Sequence, residues 1–254
     1  MLKEIIIAIQ AYIEAHNFIR KHKLWKWILI PGILYCFLFI GGMYLFINSA
    51  TDAVSFLSKE TGLQAWLQLE HSEWLSFFFL MAGFFLWIIL LLFYFSLFKY
   101  LFLIIGSPVF AYLSEKTENI LEGIDFPFNS SQLLKDVWRG IRLALRNTIW
   151  QTVYAIALVL LSLFPLVGWI TPIIALLVEC YYYGFSMLDY SLERAKLTPA
   201  ESINYIGKHK GLAIGNGLIF YLMHLIPFLG WVLAPAYAVV AATLSVHKTK
   251  LRNA

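Results

Sequence analysis

The chain has 254 residues, of which 61% are apolar, 17% are aromatic and only 13% are charged. Soluble domains carry about a quarter charged residues, because a folded surface in water has to be solvated. This composition excludes an ordinary soluble domain, a secreted disulfide scaffold and a disordered chain. We therefore predict an all-α integral membrane protein, and the formal net charge of +4 matters less than where the charges lie.

Two long apolar stretches in the first half of the chain predict transmembrane helices at 27–47 and 75–105. A helix needs about 20 apolar residues to cross the hydrocarbon core, and both stretches are long enough. The second stretch reaches a Gly-Ser-Pro sequence at 106–108, where a helix is difficult to continue. Residues 1–26 precede both stretches and predict an amphipathic N-terminal helix. Because charges are scattered through them, they do not have the pattern of a signal peptide, and we expect the first span to direct insertion into the membrane.

Two further apolar segments, 147–189 and 212–246, are each interrupted near the middle. A proline and a glycine divide each of them: Pro165 and Gly168 in the first, Pro227 and Gly230 in the second. Each half has about 15 to 18 residues and extends only ~24 Å as a helix. These lengths favour two half-penetrating, re-entrant helical hairpins. Four complete spans are the alternative, because local thinning of the bilayer accommodates short helices.

The tips of the two hairpins form an internal repeat. Residues 163–170 match residues 225–232 at an offset of 62, with four identities in eight positions. Proline, glycine and tryptophan are common at any tight turn between membrane helices, but a match of this length favours duplication of one hairpin unit.

The basic residues predict which side of the membrane the chain ends face. The loop 48–74 holds one basic residue, Lys59, against four acidic ones. The other 18 of the 19 basic residues lie in four segments: 1–26, 99–146, 190–211 and the residues after 246. By the positive-inside rule these segments face the cytoplasm. We therefore expect a multi-pass protein of the bacterial inner membrane with both termini in the cytoplasm.

Residues 131–146 predict a basic amphipathic helix at the membrane interface. At ~100° per residue its four cations share one face: Lys135, Arg139, Arg142 and Arg146. Contact with lipid phosphates is one interpretation, and the other is an anion entrance. Basic residues also precede the first span and the second hairpin, where helix starts favour anions. The candidate anion-binding residues are Lys23, Leu24, Trp25, Lys26, Arg139, Arg142, Arg146, Lys208 and Lys210.

Polar residues inside the apolar segments are candidates for functional sites, because they are expensive to bury in a membrane. They are Glu179, Asn216 and His224. The structural alternatives are that Glu179 pairs with a buried cation and that His224 caps a backbone carbonyl. The sequence contains no glycine-rich phosphate loop, His-Glu-x-x-His, Gly-x-Ser-x-Gly or Cys-x-x-Cys motif. We therefore expect no enzyme activity, metal, cofactor or nucleic-acid partner.

The chain resembles a known family over nearly its whole length, and one segment carries the resemblance most clearly. Gly184 to Arg194 is similar to the Gly-Phe…Leu-Asp-Tyr…Leu-Glu-Arg signature of the CysZ-type sulfate permeases, which form a superfamily with the etoposide-induced membrane proteins of eukaryotes. The resemblance implies two long membrane helices, two hairpins that penetrate partway, homo-oligomers and sulfate uptake. The family's Gly-Leu-Arg-Arg stretch before the first span corresponds to Lys23-Leu24-Trp25-Lys26 in this chain.

The resemblance thus predicts uptake of sulfate or a related small oxyanion, either passive or coupled to protons. The expected partners are membrane lipids, the anion and further copies of the chain. One alternative is a non-transporting scaffold or an accessory subunit of membrane-protein insertion or envelope machinery, held in a protein complex. Another is a peripheral lipid binder that uses the basic helix.

Overall fold

A computed structural model describes residues 1–60, 74, 98, 104–123, 130–162 and 170–253. Every regular element within these ranges is an α-helix, which confirms the predicted all-helical class. The helices are α1 (Leu2–Lys21), α2 (Trp25–Glu60), α3 (104–122), α4 (Ser130–Ser162), α5 (Thr171–Arg194), α6 (Pro199–Lys208), α7 (Lys210–His224) and α8 (Leu229–Asn253).

The chain divides into two compact units. One comprises Met1–Cys36 and Phe102–Ala254, and the other comprises Phe37–Leu101. In the second unit, the ring of Phe39 packs edge-on against that of Phe98, with centroids 5.2 Å apart. Most of the predicted span 75–105 lies outside the described residues. Helices α4, α5 and α7, which carry the candidate site, belong to the first unit.

Three helical segments of the described chain are long and apolar enough to cross a membrane: Trp25–Ser49, Thr171–Arg194 and Leu229–Thr249. The first contains the predicted span 27–47, and Pro31 does not interrupt its helix, which continues to Glu60. The outgoing arms of both hairpins are longer than predicted, because α5 has 24 residues and α8 has 25. Length alone therefore does not prevent these two arms from crossing.

The basic helix and the first arm of the first hairpin are one element. Helix α4 runs without a break from Ser130 to Ser162, through the boundary predicted at residue 146. The reason is that residues 140–155 contain neither proline nor a capping sequence that would end a helix. The tip that holds Pro165 and Gly168 lies outside the described residues.

Helix α8 forms the centre of the first unit. Its residues 234–246 are all buried. Of the most apolar stretch of this helix, 78% is buried, whereas only 24% of the apolar stretch in Trp25–Ser49 is buried. Helices α1, α5 and α7 pack around it. The α1 face that is buried carries small residues, Ala8, Ala11 and Ala15, which allow close approach of the helices.

Glycines bring α5 and α7 into backbone contact. A Cβ atom on Gly184 would lie 1.9 Å from the carbonyl oxygen of Ala213, and one on Gly217 would lie 2.0 Å from that of Cys180. Ala213 and Gly217 are four residues apart, so they lie on the same face of α7. This small-xxx-small pattern is typical of helices that associate closely in membranes.

The second hairpin has a turn at 225–228 between α7 and α8. Pro227 lies in this turn and Gly230 follows it, where a Cβ atom would lie 1.8 Å from the carbonyl oxygen of Met223. The indole N–H of Trp231 donates to the carbonyl oxygen of His224 at 3.0 Å. Apolar side chains at this tip are exposed, as expected of a surface that meets lipid: Leu225, Ile226, Phe228 and Leu229.

Candidate functional site

Polar residues line the contact between α4 and α5 within the first unit. Residue numbers rise along α4 as they fall along α5, from the Arg139–Asp189 pair to the Gln151–Glu179 pair, so the helices are antiparallel. We call this strip the polar seam. Its outer end is the end at Arg139, and its inner end is the end at Gln151 and Glu179. The seam comprises Arg139, Arg146, Asn147 and Gln151 on α4 and Glu179, Ser186, Asp189 and Tyr190 on α5.

The outer end of the polar seam is an ion pair. Arg139 donates to both carboxylate oxygens of Asp189, at 2.8 and 3.2 Å, and to the Ser202 hydroxyl at 2.7 Å. It also donates to the carbonyl oxygen of Leu197, and Glu193 lies 3.7 Å from its Nε. This end therefore ties α4 to α5 and α6 through charge-assisted hydrogen bonds.

Arg139 is one of the predicted anion-binding residues, and in the structure it pairs with acidic side chains of the chain itself. Its side chain is 12% exposed and its donors are directed at groups of the chain itself. Asp189 and Glu193 come from the signature segment that carries the family resemblance. The signature residues Asp189 and Glu193 therefore stabilise the fold at this point, and Arg194 adds a contact of 3.6 Å with Glu115 of α3.

The middle of the polar seam holds a buried donor without an acceptor in the described part of the chain. A small cleft lies just inside the ion pair, lined by Gly140, Leu143, Ala144, Ser186, Asp189 and Tyr190. Further in, Arg146 donates to the Asn147 side-chain oxygen at 3.0 Å. Asn147 is fully buried, and its amide nitrogen has no acceptor among the described residues. Buried polar groups normally have a hydrogen-bond partner.

The inner end of the polar seam is centred on Glu179. Its carboxylate accepts a hydrogen bond from the Gln151 amide, and another from the Tyr221 hydroxyl of α7 at 2.8 Å. The contacts place a carboxylate and two neutral donors together inside an apolar helix bundle.

The two other intramembrane candidates contact different parts of the fold. Asn216 donates to the carbonyl oxygen of Ala238 at 3.0 Å, and the Tyr12 hydroxyl donates to the Asn216 main-chain oxygen at 2.8 Å. Asn216 therefore ties α7 to α8 and α1. His224 lies 3.4 Å from the Tyr35 hydroxyl. At the same tip, the His224 main-chain carbonyl accepts from the indole of Trp231.

The segment before the first span keeps an unusual backbone. Lys23 has φ of +55°, in the left-handed region that glycine adopts without strain. Lys23 therefore has a conformation that favours glycine, the residue that the resemblance places at this position. Lys23 and Lys26 are exposed, Trp25 is half-buried, and Leu24 is buried in the core. Leu24 therefore anchors the segment.

The cations before the second hairpin surround a helix start that is already occupied. Lys208 and Lys210 are exposed. Between them, His209 Nδ1 lies 2.7 Å from Glu4 Oε1, and the Gly211 N–H donates to Glu4 Oε2 at 3.1 Å. A carboxylate at this position interacts favourably with the helix dipole. The chain thus places one of its own anions where the sequence predicted an external one.

Comparisons with known proteins point to one family. The family described as sulfate transporter CysZ/etoposide-induced protein 2.4 matches residues 11–235. The chain is 28% identical over 223 residues to the sulfate transporter CysZ of Pseudomonas fluorescens strain Pf0-1, a match that covers 85% of this chain and 83% of that relative.

Two further relatives carry the same name. The sulfate transporter CysZ of Pseudomonas aeruginosa strain LESB58 is 30% identical over 175 residues, or 68% of this chain and 70% of the relative. That of Pseudomonas fluorescens strain Pf-5 is 31% identical over 143 residues, and this match spans only 57% of the relative's length. The family match covers most of the chain, so this protein belongs to the family of sulfate transporter CysZ and etoposide-induced protein 2.4.

Proposed function

We propose that this protein carries sulfate, or a small oxyanion like it, across a bacterial inner membrane along the polar seam. The observation that carries the proposal is the buried Asn147 amide, which has no described acceptor and lies next to the Arg146 guanidinium. The relatives named sulfate transporters support the choice of anion. Donors inside a dry path replace the water that an anion loses when it enters.

The exposed cations have a separate part in this proposal. Lys135 and Arg142 are exposed on α4, outside the ion pair and the cleft. Cations at an entrance raise the local concentration of an anion, and salt screens the effect. Arg146 lies deeper and half-buried, with its guanidinium 5.8 Å from the centroid of the Phe185 ring. It is therefore the cation placed to contact an anion that has lost part of its water.

The route is tested by replacing Arg146 with glutamine and measuring uptake of radiolabelled sulfate into proteoliposomes. We expect uptake at low sulfate concentration to fall roughly tenfold, because a charge-assisted hydrogen bond to the anion is lost. Arg20→Gln is the matched control, since Arg20 is exposed at the end of α1. Wild-type uptake no higher than in protein-free vesicles would contradict the function. Equal uptake by both variants would contradict the route alone.

We also propose that both hairpins are re-entrant and that both termini face the cytoplasm. The shorter arm limits the depth of the second hairpin, because α7 has only 15 residues, or about 22 Å of helix. That is less than the hydrocarbon core of about 30 Å. The match between residues 163–170 and 225–232 extends the proposal to the first hairpin. The basic residues on the proposed cytoplasmic side support the orientation. Assembly of several copies in the membrane is part of the same proposal.

Labelling of single cysteines tests this topology. We expect Phe228→Cys, at the exposed tip of the second hairpin, to resist a membrane-impermeant maleimide applied from either side. Lys196→Cys should react only from the cytoplasmic side and Lys59→Cys only from the outside, since both positions are exposed. The signal of the parent protein, which carries Cys36 and Cys180, is subtracted. Reaction of Phe228→Cys from outside would establish full crossings instead.

A further inference from the structure

The inner end of the polar seam has the form of an occupied oxyanion site. Two neutral donors from different helices, the Gln151 amide and the Tyr221 hydroxyl, converge on the two oxygens of one carboxylate, Glu179. Gln151 is buried, and Glu179 lies within the apolar segment Thr171–Arg194. The donors thus bind two geminal oxygens of an anion in surroundings of low polarity, where hydrogen bonds are stronger than in water.

A sulfate ion presents the same feature to its surroundings. Any two of its oxygens are attached to one central atom, as the two oxygens of a carboxylate are, and both groups only accept hydrogen bonds. A pair of donors that fits a carboxylate therefore also fits one edge of a tetrahedral oxyanion. The two anions cannot bind together, because like charges at this distance repel each other strongly in a medium of low dielectric constant.

The position of Gln151 on α4 connects the two donors, Gln151 and Tyr221, to the rest of the polar seam. Asn147 and Gln151 are four residues apart on α4 and so lie on one face. An anion that leaves Arg146 and the Asn147 amide, which lacks an acceptor in the described part of the chain, would next meet the Gln151 amide one turn further in. Tyr221 reaches the same point from α7, which α5 contacts at Gly184 and Gly217.

We infer that Gln151 and Tyr221 form an internal binding site for a tetrahedral oxyanion, and that the Glu179 carboxylate occupies this site when no anion is bound. The inference rests on the proposed transport function and extends it. Glu179 then competes with the anion. When the Glu179 carboxylate moves away, the anion accepts the hydrogen bonds of Gln151 and Tyr221 in its place. If the carboxylate only joined three helices, removing its charge would not raise the affinity for an anion.

The test is equilibrium binding of radiolabelled sulfate to the purified full-length protein. Glu179→Gln keeps the shape of the side chain and removes its charge, so we expect the apparent Kd for sulfate to fall roughly tenfold, the scale of a lost charge-assisted bond. Adding Tyr221→Phe to this variant should reverse the gain. Glu14→Gln removes the same charge from an exposed position on α1 and is expected to leave the Kd unchanged.

Glu179→Ala is measured in parallel, because an alanine side chain is too short to reach the two donors. It provides a second test if Glu179→Gln folds poorly. Tighter binding by either folded variant, lost again with Tyr221→Phe, supports the inference. Binding by the wild type together with equal or weaker binding by the Glu179 variants overturns the inference and leaves the transport function standing. If neither the wild type nor these variants binds or transports sulfate, both proposals fail.

Discussion

Gly184→Ala is expected to lower the free energy of unfolding by more than about 3 kcal/mol, a large effect for a single methyl group. The new Cβ atom would lie 1.9 Å from the carbonyl oxygen of Ala213 and 2.7 Å from its carbon. Both atoms belong to the backbone of α7, so no side chain can rotate to make room. The two helices must therefore separate, and their second close contact, between Cys180 and Gly217, is lost as well.

Thermal unfolding in mild detergent, followed by circular dichroism, measures this effect. Gly207→Ala is the matched control, because Gly207 is also in a helix but a methyl group added to it would have nothing within 4 Å. Alanine is the better helix former, so the control is expected to be as stable as the wild type or more stable by about 0.5–1 kcal/mol. If Gly184→Ala unfolded at the wild-type temperature, α5 and α7 would not be in backbone contact.

The second large effect is expected at the outer end of the polar seam. Arg139→Met leaves the carboxylate of Asp189 buried without its cation, and Glu193 loses a charge 3.7 Å away. Breaking a buried ion pair from one side lowers the free energy of unfolding by about 3–5 kcal/mol. Both partners are well buried, with side chains 12% and 6% exposed, so water does not take over the lost bonds.

A double variant separates the ion pair from general damage. Arg139→Met combined with Asp189→Leu should recover most of the loss, because two apolar side chains can replace a buried pair without a large penalty. Arg142→Met, three residues further along the same helix, is exposed and should change stability by less than about 0.5 kcal/mol. An Arg139→Met protein that unfolds like Arg142→Met would show that the pair contributes little.

The contrast between Arg139 and Arg142 shows what the sequence determines. Helical periodicity predicts that the cations of residues 131–146 share one side of a helix. It cannot predict which of them meets Asp189, because that residue is 50 positions away and its approach depends on how α5 packs. The same limit applies to Tyr221, which reaches Glu179 across 42 positions. No local pattern marks a tyrosine that completes a site on another helix.

The apolar segments illustrate a second limit. Hydrophobicity predicts that a segment avoids water, but a protein interior and a lipid phase both satisfy it. The pattern of residues 212–246 predicts a hairpin in the membrane, and its second arm is α8, whose residues 234–246 are buried within the protein. Small residues give the available signal, since Ala-rich and Gly-rich faces favour contact between helices over contact with lipid.

The central position of α8 constrains the order in which the molecule is assembled. This helix follows every other described helix in the chain, yet α1, α5 and α7 all pack against it. During synthesis those helices leave the ribosome before their common partner exists. His16 meets Tyr237 at 2.8 Å, and Glu14 pairs with Lys248, so contacts between the earliest and the latest helices close the bundle. Maturation of the first unit is thereby coupled to translation of its final helix.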